Sequence, residues 1–162
     1  MEEQIREVRE ITSRRGETVS VVQAGSGKLI SALTAVEGIS SIFDSGTSVY
    51  SYRSKLRYGV SRETLEEHGA VSSEVARELA MSARDVNGVD WGLSTSCVAG
   101  PEGGTEEKSV GTAYLGVSRK GEWDTGSSYT EVRKESYEGR RNEIQEMVAR
   151  GSIELFLEKL RE

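Results

Sequence analysis

The residues with the most chemical promise lie where an apolar strand runs into a helix. Ser20-Val21-Val22-Gln23-Ala24-Gly25-Ser26-Gly27-Lys28-Leu29-Ile30 begins β-branched and apolar, passes through small residues, and then sets Leu29, Ile30, Leu33 and Val36 at helical spacing. A strand that runs through glycines into a helix leaves backbone N–H groups free at the positive end of the helix dipole, which suits an anion. Lys28 adds positive charge there, as Arg140 and Arg141 do before the last predicted helix. A phosphate-binding P-loop is excluded twice over: its first glycine would stand at Val22, and Leu29 follows the lysine where Ser or Thr is needed. A second glycine-rich loop, Cys97 to Ser109, carries Gly100, Gly103, Gly104 and the only proline, Pro101. One histidine, His68, and one cysteine, Cys97, are too few for a Cys/His zinc site, so neither a metal nor a cofactor is expected.

The elements that must position these loops alternate along the chain. Ile5, Val8 and Ile11 form one stripe of an amphipathic helix from Glu2 to Arg15, which Gly16 ends. The strand Thr18–Val22 and its helix follow, closed at Glu37-Gly38. Ser41 to Tyr52 predicts a strand centred on Thr47-Ser48-Val49-Tyr50, Ser54 to Tyr58 a helical turn, and Ser61 the cap of a brief helix that stops at Gly69. Ser72 caps a longer helix with Val75, Leu79, Ala83 and Val86 on one face; Asp90 to Thr95 is the next strand. Val110 to Val117 is a clear strand, and Glu122 to Tyr137 is a more polar one with Trp123, Tyr129 and Val132 at strand spacing. Asn142 to Leu160 is the last helix. The α-β-α-β-α-α-β-β-β-α rhythm implies an α/β domain, a three-layer α/β/α sandwich around one sheet. Ligands gather at the carboxyl ends of strands in such sheets, where both glycine loops fall.

Length and composition bound the function classes. The 162 residues suit a single domain spanning 1–162, with no internal repeat, linker or low-complexity segment. A net charge of −6 argues against a nucleic-acid surface. No apolar run approaches the roughly 20 residues of a membrane span, and Met1-Glu2-Glu3-Gln4 does not open a signal peptide. A single thiol fits a cytoplasmic location.

Several motifs together resemble the CinA carboxy-terminal domain family. They are Ser40-Ser41-Ile42-Phe43, Val49-Tyr50-Ser51 with Lys55 beyond, Glu66 to Ala76, Asp90-Trp91-Gly92-Leu93 and Ala99-Gly100-Pro101-Glu102-Gly103-Gly104-Thr105-Glu106-Glu107-Lys108-Ser109-Val110-Gly111-Thr112. The resemblance runs from Thr18 to the last helix. It implies a mixed sheet between helices and, in active members, hydrolysis of the amide of nicotinamide mononucleotide (NMN). It further implies a serine nucleophile on the first glycine loop, helped by Tyr50 and Lys55, with a small nucleotide-like ligand held by Gly25, Ser26, Gly27, Gly100, Pro101, Gly103, Gly104 and Thr105. A lysine desolvated below its solution pKa of about 10.4 can take the serine proton, a tyrosine can relay it, and backbone N–H groups can hold the oxyanion.

The departures from the family pattern cluster on the loops. The usual Glu-Ser-Cys-Thr-Gly-Gly is Gln23-Ala24-Gly25-Ser26-Gly27-Lys28 here, so Ala24 stands in the nucleophile's place. Cys97 takes a position that is usually glycine, and Gly139-Arg140-Arg141 replaces Gly-Asp-Arg. Three readings follow: a non-hydrolytic relative that keeps its ligand pocket, an enzyme with a relocated nucleophile, or an interaction module. Ser26 is the nearest alternative nucleophile, against a helix-capping role. Cys97 is the other, with His68 as the only imidazole in the chain, against a small packed residue. Glu106-Glu107-Lys108 is read as a solvated loop tip, and Trp123 with Tyr129 as an oligomer contact on an edge strand.

Overall fold

The structure, a computed structural model, describes residues 1–122 and 126–162, so the strand position expected at Trp123 lies outside it. Helix α1 (Glu2–Arg15) buries Ile5, Val8 and Thr12 and is closed by Gly16 at φ 66°. Strand β1 (Val19–Gln23) is buried throughout and leads into α2 (Lys28–Thr34). A 3-10 turn at Ile39–Ser41 precedes β2 (Phe43–Ser48). Three helices follow: α3 (Tyr52–Arg57), α4 (Arg62–His68) and α5 (Ser73–Asn87). Ser51, Ser61 and Ser72 each cap one of them by accepting a backbone N–H three residues on. Then come β3 (Trp91–Cys97), β4 (Thr112–Arg119), β5 (Tyr129–Ser136) and the long α6 (Arg141–Arg161).

The sheet order is β2-β1-β3-β4-β5. Strand β1 runs parallel to β2 and β3, while β3–β4 and β4–β5 are antiparallel, so the sheet is mixed. One face carries Val19, Val21, Trp91, Leu93, Leu115 and Val117 under α1, α2 and α6. The other carries Val22 and Ala24 beneath α5, against Val75, Leu79 and Ala83. Helix α5 lies so close to β3 that a Cβ at Gly92 would stand 2.0 Å from the Ala80 carbonyl oxygen. Only glycine fits there.

Two placements differ from the sequence reading. Strand β2 ends at Ser48, and Val49 and Tyr50 follow it as a turn. Val49 is buried in the α5-side cluster all the same, which satisfies its apolar side chain without a strand. Val86 leaves the buried face of α5 and is 67% exposed, because the helix ends at Asn87 beyond the edge of its packing surface. Tyr129 sets its ring edge-on to Trp91 at 6.4 Å and remains partly exposed at the edge strand.

Register is what fixes the site. Gln23 pairs with Thr95 across β1 and β3, and the Ala24 N–H donates to the Thr95 carbonyl at 2.8 Å. Both glycine loops therefore leave the sheet side by side, at the carboxyl ends of neighbouring parallel strands.

Candidate functional site

A cavity of about 230 Å³ sits at those strand ends. Gly25 comes from the first loop; Cys97, Val98, Ala99, Gly100, Glu102 and Gly103 come from the second; Tyr50, Val71 and Arg141 complete its wall. Among the glycine-loop residues expected at a ligand, the structure thus brings together Gly25, Gly100 and Gly103. Ser26, Gly27, Pro101, Gly104 and Thr105 are not in the wall. Thr105 instead closes a small turn: its N–H donates to the Lys108 carbonyl and its hydroxyl accepts the Lys108 N–H. The Lys108 ammonium donates to the His68 carbonyl, which ties this loop tip to the end of α4. His68 itself is held near Glu67 and Glu74, each 3.8 Å away, and does not line the cavity that Cys97 lines.

Tyr50 and Lys55 are joined, but not through the phenol. The Ser51 cap starts α3, and the five-residue spacing folds the lysine back over the helix start. Its Nζ donates to the Tyr50 carbonyl oxygen at 3.0 Å. Lys55 is only 4% exposed and has no carboxylate partner among the described residues. Desolvation by burial lowers its pKa. The Tyr50 backbone is fixed at both ends, since its N–H also donates to Ser54 Oγ at 3.2 Å. Its side chain is left largely open to solvent, the residue being 59% exposed.

Ala24 is buried on the α5 side, where its methyl joins Val22, Val49 and Leu79. Ser26 is also buried, and its hydroxyl accepts the Lys28 N–H at 3.0 Å; the N-cap position of α2 is Gly27, one residue later than expected for a serine cap. Cys97 and Gly25 explain each other. A Cβ at Gly25, whose φ is +81°, would lie 2.8 Å from both the Cys97 carbonyl oxygen and its Sγ. The thiol of Cys97 thus fills the space that a side chain at position 25 would take. Burial pushes the Cys97 thiol up to about 11, and the opposing pull of the Arg141 charge is the smaller effect. A thiol held protonated, 3.9 Å from the Ala24 carbonyl, is a packed residue and a poor nucleophile.

The three basic residues near helix starts are separated by their partners. Lys28 pairs with Glu146 at 2.9 Å and Arg140 with Glu143 at 3.4 Å. Arg141 lines the cavity, donates through Nη1 to the Gly100 carbonyl at 2.7 Å, and meets no carboxylate among the described residues. Gln145, one turn further along α6, is a site residue the sequence did not reveal. Its Nε2 donates to the Gly25 carbonyl at 2.9 Å and anchors the first loop from behind. Gln23, below the same loop, donates to Ser48 Oγ at 2.9 Å, while its Oε1 is buried without a partner.

A recess of about 430 Å³ lies at the opposite end of β4, between Arg119, Lys120 and Tyr129. Gly121, Glu122 and Ser127 also line it, at the end of the sheet away from the two glycine loops. Among the described residues no group of acids, histidines or cysteines could hold a metal ion, and no helix is long and apolar enough to cross a membrane.

Comparison with known proteins agrees on one family. The family model for the CinA C-terminal domain matches residues 1–160. A CinA-like protein of Anaeromyxobacter sp. (strain K) is 40% identical over 149 residues, covering 91% of this chain and 35% of that protein. The chain thus spans about a third of the length of the curated relatives it matches. Among solved structures, a competence-damaged protein (CinA) superfamily protein from Enterobacter cloacae superposes with a TM-score of 0.89 at 29% identity, covering 98% of this chain and 90% of that one. A competence/damage-inducible protein from Agrobacterium tumefaciens gives 0.90 at 28% identity, covering 99% and 95%.

Proposed function

The chain belongs to the CinA C-terminal domain family, and on that premise we propose that it holds a small nucleotide-like ligand of the NMN class but is impaired in hydrolysing its amide. The observation that carries this reading is the pairing of an intact pocket with a base that has nothing to activate. Lys55 is buried, its pKa is lowered, and its ammonium has only a carbonyl for company. On the loop that would hold the nucleophile, Ala24 offers only a methyl, packed among Val22, Val49 and Leu79.

In an active relative of the kind the resemblance implies, a serine oxygen would attack the carboxamide carbon as a lysine takes its proton. Ammonia would leave with a proton, and water would then release the acid from the acyl-enzyme. The balance is NMN plus water to nicotinate mononucleotide plus ammonia. Ala24 has no oxygen to form that ester, and loss of a nucleophile of this kind costs several orders of magnitude in rate. The free N–H groups of the glycine loop and the unpaired Arg141 still favour an anionic group in the cavity. With one buried thiol, the domain is expected to work in the cytoplasm.

Ammonia release from NMN tests the reading. Wild type is expected to be silent, Ala24→Ser to gain turnover, and Lys55→Ala in the Ala24→Ser background to abolish it. Turnover by wild type, lost on Ser26→Ala or Cys97→Ser, would replace this reading with a relocated nucleophile. Absence of both turnover and ligand-dependent thermal stabilisation would leave an interaction module.

A further inference from the structure

Another cavity, of about 350 Å³, lies on the α5 side of the sheet, where α4 ends and α5 begins. Its wall is acidic: Glu67 and Glu74 come from the two helices, and Glu107 from the tip of the second glycine loop. His68 stands between the first two, with Nε2 toward Glu67 and Nδ1 toward Glu74 at 3.8 Å each, and neutralises them only when its ring is protonated. Glu107 has no ion-pair partner among the described residues. The Lys108 ammonium is given to the His68 carbonyl and pairs with none of the three carboxylates. Tyr114 of β4 supplies the floor. Ala113, Leu115 and Val117 pack into the core on the α6 side, so strand alternation raises Tyr114 toward α5. The residue is nine-tenths buried, yet its phenol hydroxyl has no hydrogen-bond partner among the described residues. Lys134 of β5 already lies 5.9 Å over the ring, so the hydroxyl is the group left to offer. Ser72 and Ser73 complete the wall, and the Ser72 hydroxyl is taken as the cap of α5.

From this we infer that the cavity is a binding site for a small aliphatic amine in its ammonium form, held by Glu67, Glu74 and Glu107 with the Tyr114 hydroxyl as the buried acceptor. An ammonium carries three donors and no acceptor, the complement of carboxylates that only accept. An anionic ligand would instead face three carboxylates against one lysine already engaged. Among the described residues these groups form no metal-binding cluster, and a diamine, with its charges spaced apart, matches carboxylates that come from three separate segments. The site is distinct from the strand-end cavity but shares a loop with it: Gly100 and Gly103 wall the one, Glu107 and Lys108 the other. An occupant here ties down the tip of the loop whose base walls the other cavity.

Calorimetric titration of the full chain with butane-1,4-diamine, at low salt and fixed pH, tests the assignment. Binding with a Kd of about 1 mM or tighter is expected, and none by butane-1,4-diol, which has the same length without the charge. Glu74→Gln and Glu107→Gln should each weaken the diamine about two- to fivefold. Tyr114→Phe should weaken it about two- to tenfold and keep the wild-type thermal unfolding, because the hydroxyl it removes has no partner within the chain. Glu3→Gln removes the same charge from α1, on the other side of the sheet, and should leave the affinity within about twofold of wild type. A loss at Glu3→Gln as large as at Glu74→Gln means diffuse attraction to a chain of net charge −6 and overturns the inference. Unchanged affinity in Tyr114→Phe, equal binding of the diol, or no binding of the diamine at about ten times the expected Kd overturns it as well.

Discussion

Gly25→Ala is the sharpest perturbation of the loop, because two separate costs meet there. The residue sits at φ +81°, in the left-handed region, which charges a side chain about 1–2 kcal/mol. The new Cβ would also stand 2.8 Å from the Cys97 carbonyl oxygen and 2.8 Å from Sγ. Overpacking of that kind adds about 1–3 kcal/mol. The sum, about 2–5 kcal/mol, is a large part of a typical domain's stability and corresponds to a Tm lower by roughly 5–20 °C at this size. The second cost depends in part on the thiol, and Cys97→Ala removes it. Urea unfolding of wild type, both single variants and the double variant therefore closes a cycle. The expected coupling is about 1 kcal/mol or more in favour of the double variant, with the backbone cost remaining. If the two substitutions add to within about 0.5 kcal/mol, the thiol does not occupy the space of the missing side chain, and the account of Gly25 and Cys97 as a complementary pair is refuted.

Other measurements follow from the same geometry. Lys55 titrates lower in the folded than in the unfolded chain, so the unfolded state binds the extra proton between the two values and stability rises with pH across that window. Lys55→Met should therefore be more stable than wild type near neutral pH, with the advantage fading as pH rises through the lowered folded-state value and gone above the ordinary lysine value of 10.5. Urea midpoints from pH 7 to 11 read this directly. Cys97 has the opposite sign: its folded pKa is raised from 9.0 to about 11, so its contribution is complete below pH 9 and is lost as pH rises through 11. Against Cys97→Ala, wild type should lose about 2–3 kcal/mol over that range. Gly92→Ala would drive a Cβ to 2.0 Å from the Ala80 carbonyl and part α5 from β3; a cost above about 4 kcal/mol is expected, seen as lost soluble yield or a collapsed unfolding transition.

The sequence carried the frame well where caps and periodicity agreed. Ser61, Ser72, Gly16 and Gly88 bound their helices as their chemistry predicts. The end of strand β2 was misjudged because Val49 and Tyr50 have strand-forming side chains; the Val49 N–H still donates to the Gln23 carbonyl at the end of β1, but Ser51 then caps a helix and the pairing goes no further. The site was legible as two loops and as the Tyr50–Lys55 spacing. Which atoms meet was not. Nothing in the spacing tells a lysine to bond the carbonyl of residue 50 in preference to its hydroxyl. Nor does a glutamine inside a helix announce that it supports Gly25 across 120 positions of sequence. Lys28, Arg140 and Arg141 look equivalent along the chain; only the glutamates that neutralise the first two distinguish the third.

The shared rung at Gln23 and Thr95 has a consequence for how such a site can change over evolutionary time. The first loop leaves β1 directly past this rung and the second leaves β3 after Cys97, so the separation of their bases is set by the ladder spacing of about 4.8 Å and not by the loops themselves. The rungs beneath act as a jig, and the loops are interchangeable inserts clamped in it. Residues on one insert can be replaced without disturbing the alignment of the other, so the side chains at the strand ends can change while the spacing of the receptacle, set by the rungs below, stays fixed.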